Sequence, residues 1–453
     1  MTQELAIESG ERGRAGTANS AFSLNGATLV RFLRGYASGA GLEYAVALTN
    51  RALCERYALQ IIQIHMVPPG ESLAPNSVNL GKGRLTNIPL PREILPDDEP
   101  DDGLQFISSL AEGCKRVIRD KVLFNPLTGP AFARWGARHP RYRAGDVPGV
   151  GGKMREIFQR HSVDCVLVHA AGGSDAWEAI HEAQIAGLPT AIQLHFSNER
   201  LRDYSVRCQV EMVDGVGGVS GVDVPSYVEK RFTNLLTAVD LEFFSRARAG
   251  QFSIAFRRPV LALPARLVPT KGHQDLIEAV KLLRKWGFPV EVVFAGRADQ
   301  PEYEQALRRQ IADAGLSDEF HFVGLLNPAG LRDLYAASKV LAFPTYHQEG
   351  LPQILIEAQA MELPVVVYDS GGSRAGLVQG ETGFVVKQGD VSGFAAAIRN
   401  LLQNESLRAS VALSGRRFVE REFGLSALAD RHERFIARTV EIGRRQALNR
   451  GPA

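Results

Sequence analysis

Beginning near residue 258, short apolar runs alternate with amphipathic stretches of helical length. "PVLALPAR" precedes "GHQDLIEAVKLLRKW", "PVEVVFAG" precedes "PEYEQALRRQIADAG", and "EFHFVG" precedes "NPAGLRDLYAAS". The series continues through "KVLAFP", "HQEGLPQILIEAQA" and "PVVVYDS" to a helix "VSGFAAAIRNLLQ". Strands that are apolar throughout, rather than at alternate positions, must be covered on both faces. Separated by helices, they predict a parallel, doubly wound sheet.

The first half repeats the theme less regularly. "ATLVRFL" and "LQIIQIH" flank a helix, "YAVALTNRALCERY", and "VDCVLVHA", "DAWEAIHEAQIAG", "PTAIQLH" and "VDGVGGVS" supply further strand and helix pieces. The pattern predicts an α/β protein of two Rossmann-like domains, residues 25–245 and 258–425, hinged near 245–257. Residues 1–24 read as a disordered tail, and 426–453 as a basic amphipathic helix for which crossing back to the first domain is one option. Residues 66–150 carry "VPPGESLAPN", "LPREILPDDEPDDG" and "RYRAGDVPGVGGK", so they read as an irregular insertion.

Composition narrows the classes. At 453 residues, two domains are the expectation, and a net charge of +2 gives no field that would gather nucleic acid. Cys54, Cys114, Cys165 and Cys208 are widely spaced, as buried reduced thiols are, and form neither a disulfide framework nor a zinc site. The N-terminus lacks the apolar core of a secretory signal, and no apolar run is long enough to span a bilayer, so a cytoplasmic protein is expected. Peripheral contact with a membrane face stays open, because "LAEGCKRVIRDKVLF" and the last helix are basic and amphipathic. "GDVPGVGGKM" fails as a P-loop: Val147 stands at its first glycine position and Met154 follows Lys153.

In an open doubly wound sheet, ligands bind outside the carboxyl ends of the strands. "LALPA" runs out into Arg266, with Lys271 at the start of the next helix; "VLAFP" runs out through Glu349 into Gly350 and Leu351; "VVVYDS" runs out into Gly371 and Gly372. Two fixed cations and unpaired amides at a helix start form a diphosphate site. Glu357, inside that helix, is positioned for a ribose diol, and Glu349 for a group beyond the far phosphate. A nucleotide sugar fits that sequence of contacts. With Arg266 and Lys271 opposite the phosphates, neither a metal nor a cofactor is expected. The competing reading of each carboxylate is a solvated surface acid.

Taken together, "PARLVPTKGHQDLIEAVKLL" and "VLAFPTYHQEGLPQILIEAQAMELPVVVYDSGGS" resemble the arginine–lysine and E-x7-E segments of the retaining GT-B glycosyltransferases of family four, the group 1 glycosyltransferases. The resemblance implies the GT-B fold, in which two doubly wound domains face each other across a cleft. It implies that Arg266 and Lys271 neutralise a UDP- or GDP-sugar diphosphate, Glu357 holds the ribose, Glu349 lies by the donor sugar, and Gly350 and Leu351 supply amides. Backbone near Val323 and Gly324 would meet the base. "GYASGAGLEYAVALTNRAL" is similar to the family's glycine loop, which puts Gly39 and Gly41 opposite the diphosphate. "VDCVLVHAAGGSDAWEA" resembles the segment whose histidine, here His169, stands beside the transferred sugar. His195 reads as structural. Where the family follows its glycine pair with proline and glutamate, this chain has Arg374 and Ala375.

The function so implied is transfer of a hexose to a glycan or lipid-linked hydroxyl, with retention, in envelope or exopolysaccharide assembly. An epimerase or hydrolase of the same fold, and a non-catalytic nucleotide-sugar binder, are the alternatives.

Overall fold

The computed structural model describes residues 22–33, 40–67, 76–91, 150–169, 174–195, 201, 204–219, 224–347 and 350–450. The first sheet is built from β1 (Thr28–Leu33), β2 (Gln60–Val67), β3 (Asn76–Leu80), β4 (Gly83–Pro91), β5 (Cys165–His169), β6 (Thr190–Leu194), β7 (Gly215–Gly218) and β8 (Phe232–Asn234). Its helices are α1 (Ala40–Arg56), α2 (Val150–Arg160), α3 (Ser174–Ile185), α4 (Tyr204–Met212) and the single turn α5 (Ser226–Glu229). The strand order is β3-β4-β2-β1-β5-β6-β7-β8. All neighbours run parallel except β3 against β4.

That antiparallel pair corrects the reading of 66–150 as irregular throughout. "NSVNL" escapes a search for apolar runs because β3 is an edge strand lying mostly in solvent, where only one side of the ladder is paired. β4 sits inside it and matches β2 from Gln60↔Arg84 to Val67↔Pro91.

The second sheet comprises β9 (Val260–Pro264), β10 (Glu291–Ala295), β11 (Phe320–Phe322), β12 (Val340–Phe343), β13 (Val365–Tyr368) and β14 (Gly383–Val386). It is covered by α6 (His273–Lys285), α7 (Pro301–Asp313), α8 (Pro328–Ala337), α9 (Gln353–Ala360), α10 (Val391–Gln403) and α11 (Glu405–Phe423). The order is β11-β10-β9-β12-β13-β14, all parallel. Every residue of β9, β10, β12 and β13 is buried, because one helical layer packs on Leu261, Leu263, Val292 and Val366 and another on Ala262, Val293, Leu341 and Val365. This accounts for the unbroken apolar runs.

In both sheets the chain reverses direction between two adjacent strands: β1 and β5 in the first, β9 and β12 in the second. The crevice at each reversal is where a doubly wound sheet accepts a ligand. The last helix, α12 (Leu425–Arg450), lies on the first sheet. Its Leu428, Phe435, Ile436 and Val440 share one core with Leu29, Leu53, Ile61 and Leu167.

Candidate active site

The second sheet brings its candidates together at the β9/β12 reversal. After β9 the backbone passes Arg266 and makes one 3-10 turn, Pro269–Lys271. Gly272 then enters α6 with φ 73°, and a Cβ there would stand 1.9 Å from the Pro344 carbonyl oxygen beyond β12. Only glycine allows the two strand exits to meet so closely. Tyr346 N–H (2.8 Å) and Thr345 Oγ1 (3.1 Å) both donate to Thr270 O, so the loop leaving β12 is fastened beside Lys271. The Lys271 amino nitrogen lies 5.7 Å from the Phe343 ring centroid. Among the described contacts, Arg266 is paired with Asp299 at 2.8 Å, and Asp299 also accepts from Arg297 at 2.7 Å. Those hydrogen bonds, that of Arg297 first, hold the Asp299 carboxyl below its ordinary range.

Gly350 and Leu351 are buried ahead of α9, with Pro352 as its N-cap. Among the described residues no side chain caps this helix start; Leu355 N–H donates to Pro352 O at 3.1 Å, which leaves the amides ahead of it for a ligand. Gly372, in the 3-10 turn Gly371–Gly376 after β13, lies against that point: an added Cβ would be 1.3 Å from the Gly350 oxygen. Arg374 grips Asp369 through both carboxylate oxygens, at 2.7 and 2.6 Å, and Ala375 packs against the apolar cluster that includes Leu351 and Leu355. The turn is thus held by an ion pair and by packing at the two positions where the family carries proline and glutamate.

Glu357 is 6% exposed, which rules out the solvated-acid reading for it. The Tyr335 hydroxyl of α8 donates to its Oε2 at 3.1 Å. Burial pushes the Glu357 carboxyl up to about 7, against the opposing effect of that hydrogen bond. Gly324, just past β11, has φ 69° and borders open space. Glu349 and Gly39 fall outside the described residues, and Gly41 lies in the first turn of α1.

Across the chain, His169 ends β5 and is fully buried. Its Nδ1 is 2.9 Å from His195 Nε2. Burial first, then the charge of Arg31, holds the His169 imidazole well below its ordinary value. No group of three or more His, Cys, Asp or Glu side chains among the described residues is arranged to hold a metal. No helix among them is long and apolar enough to cross a membrane.

Sequence reasoning missed three sets of contacts. Tyr335 is the partner of Glu357. Asp275 Oδ2 accepts from both Tyr346 (2.6 Å) and Tyr368 (2.7 Å), tying the β12 loop to α6 and β13. Gln353, at the start of α9, accepts from Thr237 Oγ1 (2.9 Å) and donates to Ala238 O (2.7 Å), linking that helix to the chain leaving the first sheet. None of these partners is near the other in sequence; the "TAV" segment beside Asp240 was the one usable signal for Gln353.

Two doubly wound sheets, the second with basic groups, a helix start and a buried carboxylate at its reversal, are the architecture of the GT-B fold. Residues 250–418 match the glycosyl transferases group 1 family. It is 31% identical over 172 residues to the capsular polysaccharide biosynthesis glycosyltransferase CapM of Staphylococcus aureus, covering 36% of this chain and 42% of that protein. It is 25% identical over 323 residues to a GDP-mannose-dependent α-(1-6)-phosphatidylinositol monomannoside mannosyltransferase of Mycobacterium tuberculosis, covering 66% and 82%. The chain spans about half the length of the first curated relatives it matches, 42% and 54%. A Rickettsia africae glycosyltransferase superposes with TM-score 0.66 at 15% identity, over 92% of this chain and 99% of that one. Anabaena HepE with UDP does so at 0.59 and 16%, over 91% and 99%. At such identities the likeness is one of fold.

Proposed function

We propose that the protein moves a hexose from a nucleotide diphosphate sugar to a hydroxyl acceptor, with retention at the anomeric carbon and without a metal. The observation that carries this reading is the convergence of Lys271, the uncapped start of α9 and buried Glu357 on the β9/β12 reversal. Lys271, and Arg266 once exchanged from Asp299, neutralise the diphosphate as it leaves, and preorganised charge of this kind is a major source of rate enhancement. A departing phosphate oxygen takes the acceptor proton, so a glycosidase-style carboxylate pair is not needed. Glu357 accepts hydrogen bonds from the ribose diol, and Glu349 contacts the donor sugar.

The names of the relatives support envelope glycan assembly and either base: one is GDP-mannose-dependent, and HepE was solved with UDP and glucose. The acceptor is then a glycan or lipid-linked hydroxyl reached on the cytoplasmic side, with the basic α12 as the candidate for contact with the membrane face. Flotation with anionic vesicles tests that contact.

The primary test is thermal shift with UDP, GDP and their sugars in chelator, for wild type and Lys271→Ala. Ligand at about 100 times its Kd adds about 2.7 kcal/mol to stability. Stabilisation of wild type by one nucleotide, lost in Lys271→Ala, supports the site; no response to any of them refutes it. Donor consumption that required magnesium absolutely would refute the metal-free part.

A further inference from the structure

On the face of the first sheet that α1 and α12 cover, the row of Leu29, Ile61 and Cys165 is apolar, and Leu167 and Ala191 continue it into the next row, that of Arg31. Towards the carboxyl ends the same face turns polar. Arg31 pairs in register with Gln63, and one row further on Leu33 lies between His65 and His169, which neighbours Gln193. Arg31 is fully buried, and its Nε, Nη1 and Nη2 have no hydrogen-bond partner among the described residues. His169 Nε2 is likewise buried without a partner among the described residues, while its Nδ1 meets His195 Nε2 at 2.9 Å. The two rings are inclined by 27°.

One proton lies between two neutral imidazoles, so one ring must donate. A guanidinium stays charged at neutral pH even where burial lowers it to about 10. Arg31 is the strongest charge acting on both rings. A positive potential favours the tautomer that turns a lone pair, not an N–H, towards it. The other groups bearing on this layer are His432 of α12, and Cys54 and Cys165 against Arg31; Asn50 of α1 is bonded to Gln63.

We propose that Arg31 and His195 are positioning residues that hold His169 in a single tautomer, Nδ1–H donating to His195 Nε2 and the Nε2 lone pair facing the Arg31 guanidinium. The His169 ring is then a fixed, non-titrating anchor for the backbone that leaves β5 at the β1/β5 reversal, not a proton carrier. Only the kinetic consequence of this rests on the transferase reading.

The test is nitrogen-15 NMR of the full chain with labelled histidine, His169 being assigned by His169→Asn. Wild type is expected to show Nδ1 protonated and Nε2 bare, unchanged from pH 5.5 to 8. Arg31→Met and His195→Leu are each expected to mix the two tautomers. Removing an uncompensated buried charge does not penalise folding, so Arg31→Met keeps the test usable. In donor turnover, both variants lose roughly tenfold in kcat with KM nearly unchanged. A protonated Nε2, a ring that titrates in this range, or an unmixed tautomer in both variants overturns the proposal. Wild type that consumes no donor overturns the transferase reading instead and leaves the NMR result standing.

Discussion

Replacing Glu357 by Gln should stabilise the protein as the pH rises. The buried carboxyl is raised from an ordinary 4.5 to about 7. Below 4.5 both folded and unfolded chains carry the proton, and burial of the neutral acid costs nothing in linkage terms. Between 4.5 and about 7 the unfolded chain loses the proton while the folded chain keeps it, so stability falls as pH rises through this window. Each pH unit is worth about 1.4 kcal/mol, so the full span from 4.5 to about 7 amounts to about 3 kcal/mol. Glutamine is neutral throughout and can still accept from Tyr335. The two proteins should therefore be equally stable near pH 4.5, with the variant ahead by up to about 3 kcal/mol above pH 7. Urea unfolding at half-unit pH steps reads the difference between variants within one transition, so stepwise unfolding of two domains does not spoil it. Parallel stability profiles from pH 5 to 8 would refute the reasoning. The same substitution should weaken nucleotide binding, which marks the carboxylate as a functional cost kept by the fold.

Tyr335→Phe removes the one hydrogen bond that lowers the Glu357 carboxyl; it should cost about 1–3 kcal/mol, more at pH 8 than at pH 5, in the same unfolding assay. Gly372→Ala drives a Cβ into the Gly350 carbonyl; a loss of about 1–3 kcal/mol and of the nucleotide thermal shift is expected, and an unchanged shift would detach this contact from the site. Asp275→Ala leaves two phenols without their acceptor; the β12 loop should become more susceptible to limited proteolysis, with protection no longer restored by nucleotide. Because ribose hydroxyls donate best to an ionised acceptor, calorimetry in buffers of different ionisation enthalpy should detect proton release when nucleotide binds near pH 7.

The second domain was legible because its strands are buried on both faces. "VLALP" and "VVVY" need no alternation to be recognised, and glycine stands where backbones meet, as at Gly272 and Gly296. Arg266 and Lys271 stand out as polar residues just past an apolar run, and Glu357 as an acid inside the apolar helix that follows β12. What escaped was polar burial. Arg31 reads as an ordinary strand residue in "TLVRFL", since nothing local to it says that α12 covers that face. The Tyr335–Glu357 and His169–His195 contacts join residues from different elements, and side-chain pairing across a fold leaves no periodic mark. The β3–β4 hairpin was lost because an edge strand in solvent carries no apolar signature.

The seating of α12 on the first sheet also orders events during synthesis. Phe435, Ile436 and Val440 complete a core whose other members, Leu29, Leu53 and Ile61, leave the ribosome nearly four hundred residues earlier. The second sheet closes with α11, still ahead of that helix. The domain made first is therefore sealed last, and its uncovered face is the stretch of the nascent chain most in need of a chaperone.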